Sequence, residues 1–305
     1  MAVTPVAFYA VSNEEHFLGL VALLNSLRLR GHKEPLLVAD CGLAAWQLEA
    51  LAPHAEVVAV DRETSPYMLK TSLPRGRPAW KMVLLDADLL VLRPLTPILE
   101  EQAAVVAFAD PVAHRFHPEW AELLDVPPIR RLPYVNSGLL VLSGDIGRSI
   151  LDLVAGKQKR VDTATTRAEG GRPSSPFYYS DQDVWNAVLA SSVDPGELVV
   201  LPAELAPHPP FTASAGQEPY VLHHVDSKPW LHSTRANAYS RLLPRLLLGD
   251  DVALRLEPAQ VPPRFRAGTV ARLDRLRAEA SALAYGLRGR VGLRRRLAER
   301  RRLRA

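Results

Sequence analysis

Val83-Leu84-Leu85-Asp86-Ala87-Asp88-Leu89-Leu90-Val91-Leu92 places two carboxylates inside an otherwise apolar run. The run before them, Met82 to Leu85, reads as a strand buried on both faces, because no polar residue alternates with the apolar ones. In an extended chain, positions i and i+2 point to the same side, so Asp86 and Asp88 can reach one cation. A buried carboxylate is costly without a counter-charge or a full set of hydrogen bonds. One simple alternative is that the pair ends a strand and binds backbone groups of the next turn. The apolar flanks on both sides favour the cation, and hard oxygen ligands suit Mn²⁺ or Mg²⁺, which can bridge to a diphosphate.

Outward from this run, strands and helices alternate. Val3 to Tyr9 is a short apolar run, followed by helical periodicity over Phe17 to Leu29. Leu36 to Ala39 and Val57 to Val60 are further strand candidates, separated by a helix at Ala44 to Leu51. This alternation predicts parallel βαβ units and an α/β fold. Val105 to Ala109 and Leu139 to Leu142 read as buried strands in the same way as Met82 to Leu85. Pro127–Pro128, Pro207–Pro210 and Pro262–Pro263 mark loops, and Gly170 to Pro176 reads as a mobile loop rich in Gly, Ser and Pro. Past Pro263 the composition changes, with helical segments near Val270 to Leu287 and Leu293 to Leu303 built from Leu, Ala and Arg. The expected organisation is a catalytic domain over 1–260 and an Arg-rich helical tail over 261–305.

Three further segments hold polar residues in patterned places. Tyr220-Val-Leu-His223-His224-Val-Asp226-Ser-Lys228-Pro229-Trp230 ends a strand in two histidines, just before a lysine. A neutral imidazole can complete a metal shell begun by two aspartates, and an ammonium pairs with phosphate oxygens. Taken alone, a histidine satisfied within the structure is the simpler reading. Tyr134-Val-Asn136-Ser137-Gly138 opens an apolar strand with small and polar residues, which lets a ligand approach the backbone; taken alone, an ordinary turn is the simpler reading. In Ser180-Asp181-Gln182-Asp183, Ser180 or Asp181 as a helix N-cap, with acids in the first turn, would account for every polar residue.

Composition narrows the class. The chain has 305 residues, 48% hydrophobic and 23% charged, enough for one large α/β domain with an appendage. A single cysteine, Cys41, excludes an internal disulfide and a multi-cysteine metal site, and fits a cytoplasmic setting. The beginning of the chain carries neither a basic start nor a long apolar run, so no signal peptide is expected. No apolar stretch approaches the roughly 18–20 residues of a membrane span. From Arg264 to Arg304, fourteen arginines face three acids, so the tail nets +11 and the body, by difference from +4, carries −7. Leu273, Leu276, Leu283 and Leu287 lie near helical spacing among these arginines, the pattern of a helix on an anionic membrane surface. A solvated tail is the alternative. Nucleic-acid binding is disfavoured, because no aromatic platform or reading motif accompanies the arginines.

These four segments, in this order, resemble glycosyltransferase family 8, the retaining GT-A enzymes, over Val6 to Trp230 and about three-quarters of the chain. The resemblance implies a GT-A fold: a mixed sheet flanked by helices, here with the basic extension. It implies that Asp86 and Asp88, with Ala87 between them, hold Mn²⁺ against a donor diphosphate. His223 or His224 would be the third metal ligand, with His223 favoured by the smaller gap to Lys-Pro-Trp, and Lys228 would bind the diphosphate. Val11, Ser12 and Asn13 would line the nucleoside pocket, although Asn13 stands where the family usually has an acid. Lys70 lies near, though not cleanly at, the position where the family has a donor-binding arginine, and Asp226 stands where the family has a glycine. Asp110, Asn136, Ser137, Asp181 and Gln182 would contact sugar, with Asp181 and Gln182 beside the reacting centre. The implied reaction is hexose transfer from a nucleotide-sugar, a UDP-hexose, to a glycan, lipid-linked or other hydroxyl acceptor. Relatives acting on lipid-linked acceptors can carry a basic C-terminal extension, which places this chain in the cytoplasm or on the cytoplasmic membrane face. Two competing readings are a sugar nucleotidyltransferase and a non-catalytic sugar- or membrane-binding protein. Ser12-Asn13-Glu14-Glu15 argues against the first, because it stands where a Gly-rich phosphate loop would be.

Overall fold

The computed structural model describes residues 4–60, 66–112, 114–209, 211–212, 218–225, 227–232 and 236–266. Among the described residues nine strands are formed: β1 (Val6–Ser12), β2 (Leu36–Asp40), β3 (Glu56–Ala59), β4 (Lys81–Asp86), β5 (Leu89–Val91), β6 (Val105–Ala109), β7 (Val135–Ser143), β8 (Leu198–Leu201) and β9 (Val221–His223). The helices are α1 (Phe17–Leu29), α2 (Ala45–Leu51), α3 (Ser72–Gly76), α4 (Thr96–Leu99), α5 (Trp120–Leu124), α6 (Gly144–Gln158), α7 (Asp181–Ser192) and α8 (Ala238–Leu248). Seven strands make one sheet in the order β3-β2-β1-β4-β7-β6-β8, while β5 and β9 pair separately. The first strand covers Val6–Ser12, three residues further along than the apolar run at Val3 suggests.

Apolar content explains the centre of the sheet. Met82, Val83, Leu84 and Leu85 are all buried, as a strand covered on both faces requires. Burying each such side chain is worth roughly 1.5–3 kcal/mol. Helix α1 is buried nearly all round, from Phe17 to Leu27, and packs against β5 and α8.

One strand departs from the parallel expectation. β1, β2, β3 and β4 pair in parallel and β6 pairs in parallel with β8, but β7 runs antiparallel to both β4 and β6. An apolar run reports burial and not direction, which is why Leu139 to Leu142 looked like its neighbours. The reversal has a consequence for the site. β1, β4 and β6 bring their C-terminal ends to one edge of the sheet, and β7 brings its beginning there, with Leu85 opposite Leu139. A register shift places Phe108 opposite Asn136 while Ala107 faces Leu140, so Ser137 to Leu139 bulge at that same edge.

Chain contacts divide the molecule at Arg255/Leu256. The second unit is described only over Leu256–Arg266, as two 3₁₀ turns at Pro258–Gln260 and Pro263–Phe265. The helices expected at Val270 to Leu287 and Leu293 to Leu303 lie outside the described residues, as does Asp226. Among the described residues, no helix is long and apolar enough to cross a membrane.

Candidate functional site

Open α/β sheets bind ligands beyond the carboxyl ends of their strands. That edge here carries Val11 and Ser12 of β1, Asp86 of β4 and Asp110 just after β6, with Val11 in register with Asp86. Asp86 and Asp88 are not alternate residues of one strand, as the extended reading had it. Asp86 ends β4, and a turn at Ala87 and Asp88 leads into β5. Antiparallel pairing of β5 with β9 sets Leu89 opposite His223 and so carries the histidine to the turn. Gly19 makes room for it: a Cβ there would lie 2.5 Å from the Ala87 carbonyl oxygen and 2.6 Å from the Trp230 ring.

The three side chains converge. His223 Nε2 lies 3.3 Å from Asp86 Oδ2 and 3.2 Å from Asp88 Oδ1. One ligand atom from each of Asp86, Asp88 and His223 falls within 4.8 Å of the others, a spacing that can hold a metal ion. His224, just past the end of β9, turns to other partners. Its Nε2 is 3.1 Å from Asn237 Nδ2, and its ring meets Tyr239 edge-on.

Two lysines neutralise the carboxylates. Lys70 Nζ is 2.6 Å from Asp86 Oδ1, 3.1 Å from Asp181 Oδ2 and 3.3 Å from both the carbonyl and the hydroxyl of Ser137. Lys228 pairs with Asp88 Oδ2 and donates to the His224 carbonyl at 2.7 Å. Burial opposes ionisation of both aspartates, yet the lysines and His223 outweigh it. Lys70 lowers Asp86, and Lys228 holds Asp88 well below the usual carboxylate range. Burial would lower His223, but Asp88 and Asp86 raise it to about 9. Lys70 is likewise raised against burial by Asp181 and Asp86.

The donor set fits a hard divalent cation: two carboxylates held ionised and one imidazole. Asn136 supports the imidazole. Its Oδ1 lies 2.9 Å from His223 Nδ1, so Nδ1–H donates there and Nε2 is the nitrogen turned to the carboxylates. Gly138 is equally necessary, since a Cβ there would stand 2.3 Å from His223 Cε1.

Beside this cluster lies a second polar network. Asn136 Nδ2 donates to Asp110 Oδ2 at 2.9 Å and to Gln182 Oε1 at 3.1 Å. Gln182 Oε1 also accepts from the Ser137 amide at 3.2 Å, and its Nε2 donates to Asp110 Oδ2 at 3.2 Å. The N-cap reading of Ser180-Asp181 therefore holds for position, with acids in the first turn, but does not account for every polar residue there. Ser180 holds the N-cap position but makes no side-chain cap bond, and Asp181 pairs with Lys70 while Gln182 faces Asp110 and Asn136. Asn13 caps the 3₁₀ turn at Glu14–His16: its Oδ1 accepts from the His16 amide at 3.0 Å and meets His16 Nδ1 at 2.9 Å.

Sequence reading missed two neighbours. His208, buried and T-shaped against the His223 ring with centroids 5.1 Å apart, is lowered to about 4, chiefly by burial. Arg115 binds Asp183 on α7. Neither belongs to a spaced motif; Pro207–Pro210 marked only a loop.

No protein-family model matches the sequence, and no curated protein matches it. Solved structures match by fold. The galactosyltransferase LgtC, in complex with donor and acceptor sugar analogues, aligns with a TM-score of 0.56 at 16% identity, over 82% of this chain and 98% of that one. The glycosyltransferase GlyE of Streptococcus pneumoniae TIGR4 aligns with a TM-score of 0.54 at 14% identity, over 81% of this chain and 61% of that one. The bifunctional glycosyltransferase WbbM gives 0.51 at 14% identity, over 75% of this chain and 47% of its own. The aligned region thus spans about half of WbbM and less than two thirds of GlyE. The fold is the α/β fold of these glycosyltransferases, as the GT-A expectation had it.

Proposed function

We propose that this chain is a metal-dependent retaining glycosyltransferase that moves a hexose from a nucleotide-sugar, by resemblance a UDP-sugar, to a hydroxyl of a glycan or lipid-linked acceptor. The observation that carries the reading is the convergence of Asp86, Asp88 and His223 between Lys70 and Lys228, at the strand-end edge of a fold shared with sugar transferases. Asp86, Asp88 and His223 would hold Mn²⁺ or Mg²⁺. When bound, the cation supplies charge neutralisation for the departing nucleotide diphosphate. Lys228, more exposed at its side chain than Lys70 (17% against 8%), is the ammonium placed to turn from Asp88 to phosphate oxygens.

Val11, Ser12 and Asn13 are assigned to the nucleoside end. Asp110, Asn136, Ser137, Asp181 and Gln182 are assigned to the transferred sugar. Gln182 has a positioning role in this scheme: both ends of its amide are engaged, and an amide is a poor nucleophile. The bond from the anomeric carbon to the diphosphate oxygen breaks on the face where the acceptor oxygen bonds, giving retention. The Arg264–Arg304 tail is assigned to an anionic membrane face, beside a catalytic domain over 1–260.

The test is nucleotide-sugar hydrolysis and binding across a donor panel, with Mn²⁺ or with EDTA, for wild type and Asp88→Ala. Metal-dependent nucleotide release from one donor, lost in the variant, supports the proposal and names the sugar. Absence of binding and turnover with every donor rejects it.

A further inference from the structure

We propose that Arg115 is a positioning residue for the sugar-transfer centre: through Asp183 it holds Asp181 and Gln182 in register with Asp110 and Asn136. The inference rests on the functional reading given above, and it begins from Asp183. That carboxylate is fully buried in the first turn of α7, next to Gln182. Four donors surround it. Arg115 Nε lies 2.6 Å from Oδ1 and a terminal guanidinium nitrogen lies 2.9 Å from Oδ2. The Tyr134 hydroxyl donates to Oδ1 and the Tyr179 amide to Oδ2, each at 2.7 Å.

The partners come from the segments that carry the site. Arg115 follows Asp110 on the stretch leaving β6, and the Val112 amide on that stretch donates to Asp110 Oδ1 at 2.8 Å. Tyr134 stands two residues before Asn136 and accepts the Asp110 amide on its carbonyl at 2.8 Å. Asp183 belongs to the helix that presents Asp181 and Gln182. The same guanidinium donates to the carbonyls of Ser175 at 2.7 Å, Pro176 at 3.2 Å and Pro173 at 3.3 Å, and lies over the Tyr179 ring. The Gly170 to Pro176 loop is thus tied at its far end to the start of α7.

Backbone strain marks the same place. Ser180, immediately before Asp181, has φ 53° and ψ −120°, a conformation non-glycine residues seldom adopt. Such a residue persists only where its surroundings over-determine it. A buried ion pair kept for stability alone could be replaced by well-packed apolar side chains. The rigid fork of an arginine, bridging a helix, a loop and a post-strand turn, supplies geometry that apolar packing does not.

The test uses two folded variants of the full chain. Arg115→Lys keeps the charge but loses the fork; Arg115→Met with Asp183→Asn removes both charges together. The expected result is a kcat loss of about a hundredfold, the scale of an ångström-sized misplacement, with donor KM and Mn²⁺ affinity at wild-type values. In a Gln182→Ala background the same substitutions cost less than in wild type, because part of the interaction acts through Gln182. Additive losses, or losses confined to KM or to Mn²⁺ affinity, overturn the proposal. Amide hydrogen exchange supplies a readout that needs no turnover: residues 177–186 exchange faster in Arg115→Lys while Lys81–Val91 do not. Unchanged exchange over 177–186 overturns the proposal even in an active enzyme. Faster exchange in a protein inactive with every donor retains the clamp and rejects the transferase reading.

Discussion

Gly138→Ala is a methyl-sized test of the metal reading. Gly138 lies in β7 outside the left-handed region, so alanine is conformationally acceptable there and only space is at issue. The new Cβ would stand 2.3 Å from His223 Cε1, 2.6 Å from His223 Nδ1 and 2.7 Å from Asn136 Oδ1. Carbon atoms pack no closer than about 3.5 Å, so the ring must retreat by roughly 1.2 Å. His223 Nε2 sits only 3.2–3.3 Å from both carboxylates, and Asn136 is the group that orients it, so the retreat disturbs a ligand and its support together. Loss of such support typically costs about 10- to 100-fold in metal affinity, or roughly 1.4–2.7 kcal/mol. The assay is a Mn²⁺ titration followed by calorimetry, with Gly156→Ala as control. Gly156 is in helix α6 with nothing within 4 Å of an added Cβ, so alanine there should stabilise by about 0.5–1 kcal/mol and leave Mn²⁺ binding alone. Wild-type Mn²⁺ affinity in a folded Gly138→Ala protein would refute the reasoning.

The two histidines should separate cleanly. His223→Ala should lower Mn²⁺ affinity at least about tenfold, whereas His224→Ala, which loses contacts with Asn237 and Tyr239, should cost about 0.5–3 kcal/mol in urea unfolding and bind Mn²⁺ normally. The opposite pattern would exchange their roles. Gly19→Ala pushes on the Ala87 carbonyl and the Trp230 ring, and should destabilise by about 1–3 kcal/mol; an unchanged urea midpoint would show that α1 can shift freely. Tyr9 is raised from 10.0 to about 12 by burial, so its neutral form is favoured in the folded state. Its contribution is full below pH 10 and is lost as pH rises toward 12, amounting to roughly 3 kcal/mol. Tyr9→Phe should flatten the fall in stability between pH 10 and 12, and an identical slope would count against that assignment.

Much of this was legible from local pattern. The helix at Phe17–Leu29 and the strand at Val105–Ala109 stand where the apolar pattern put them, because burial on all sides leaves a run of apolar residues whose length separates a helix from a strand. The Asp86-Ala87-Asp88 pair announced itself by the cost of carboxylates among leucines. The basic composition of the tail was equally plain, though its structure lies outside the described residues.

What spacing could not carry was direction and through-space partnership. An apolar run looks the same forward or reversed, so the antiparallel course of β7, which delivers Asn136 and Ser137 to the edge where Asp86 ends, needed the folded sheet. The choice between His223 and His224 depended on which residue at the end of β9 faces Asp86 and Asp88, set by the pairing of β9 with β5 across more than a hundred residues of sequence. Arg115 was invisible for the same reason: its partner Asp183 lies 68 residues away. The sequence by itself determined which residues must be buried and which chemistry could sit among them. The tertiary structure decided which side chains meet, because that follows from packing between segments distant along the chain and from no local period.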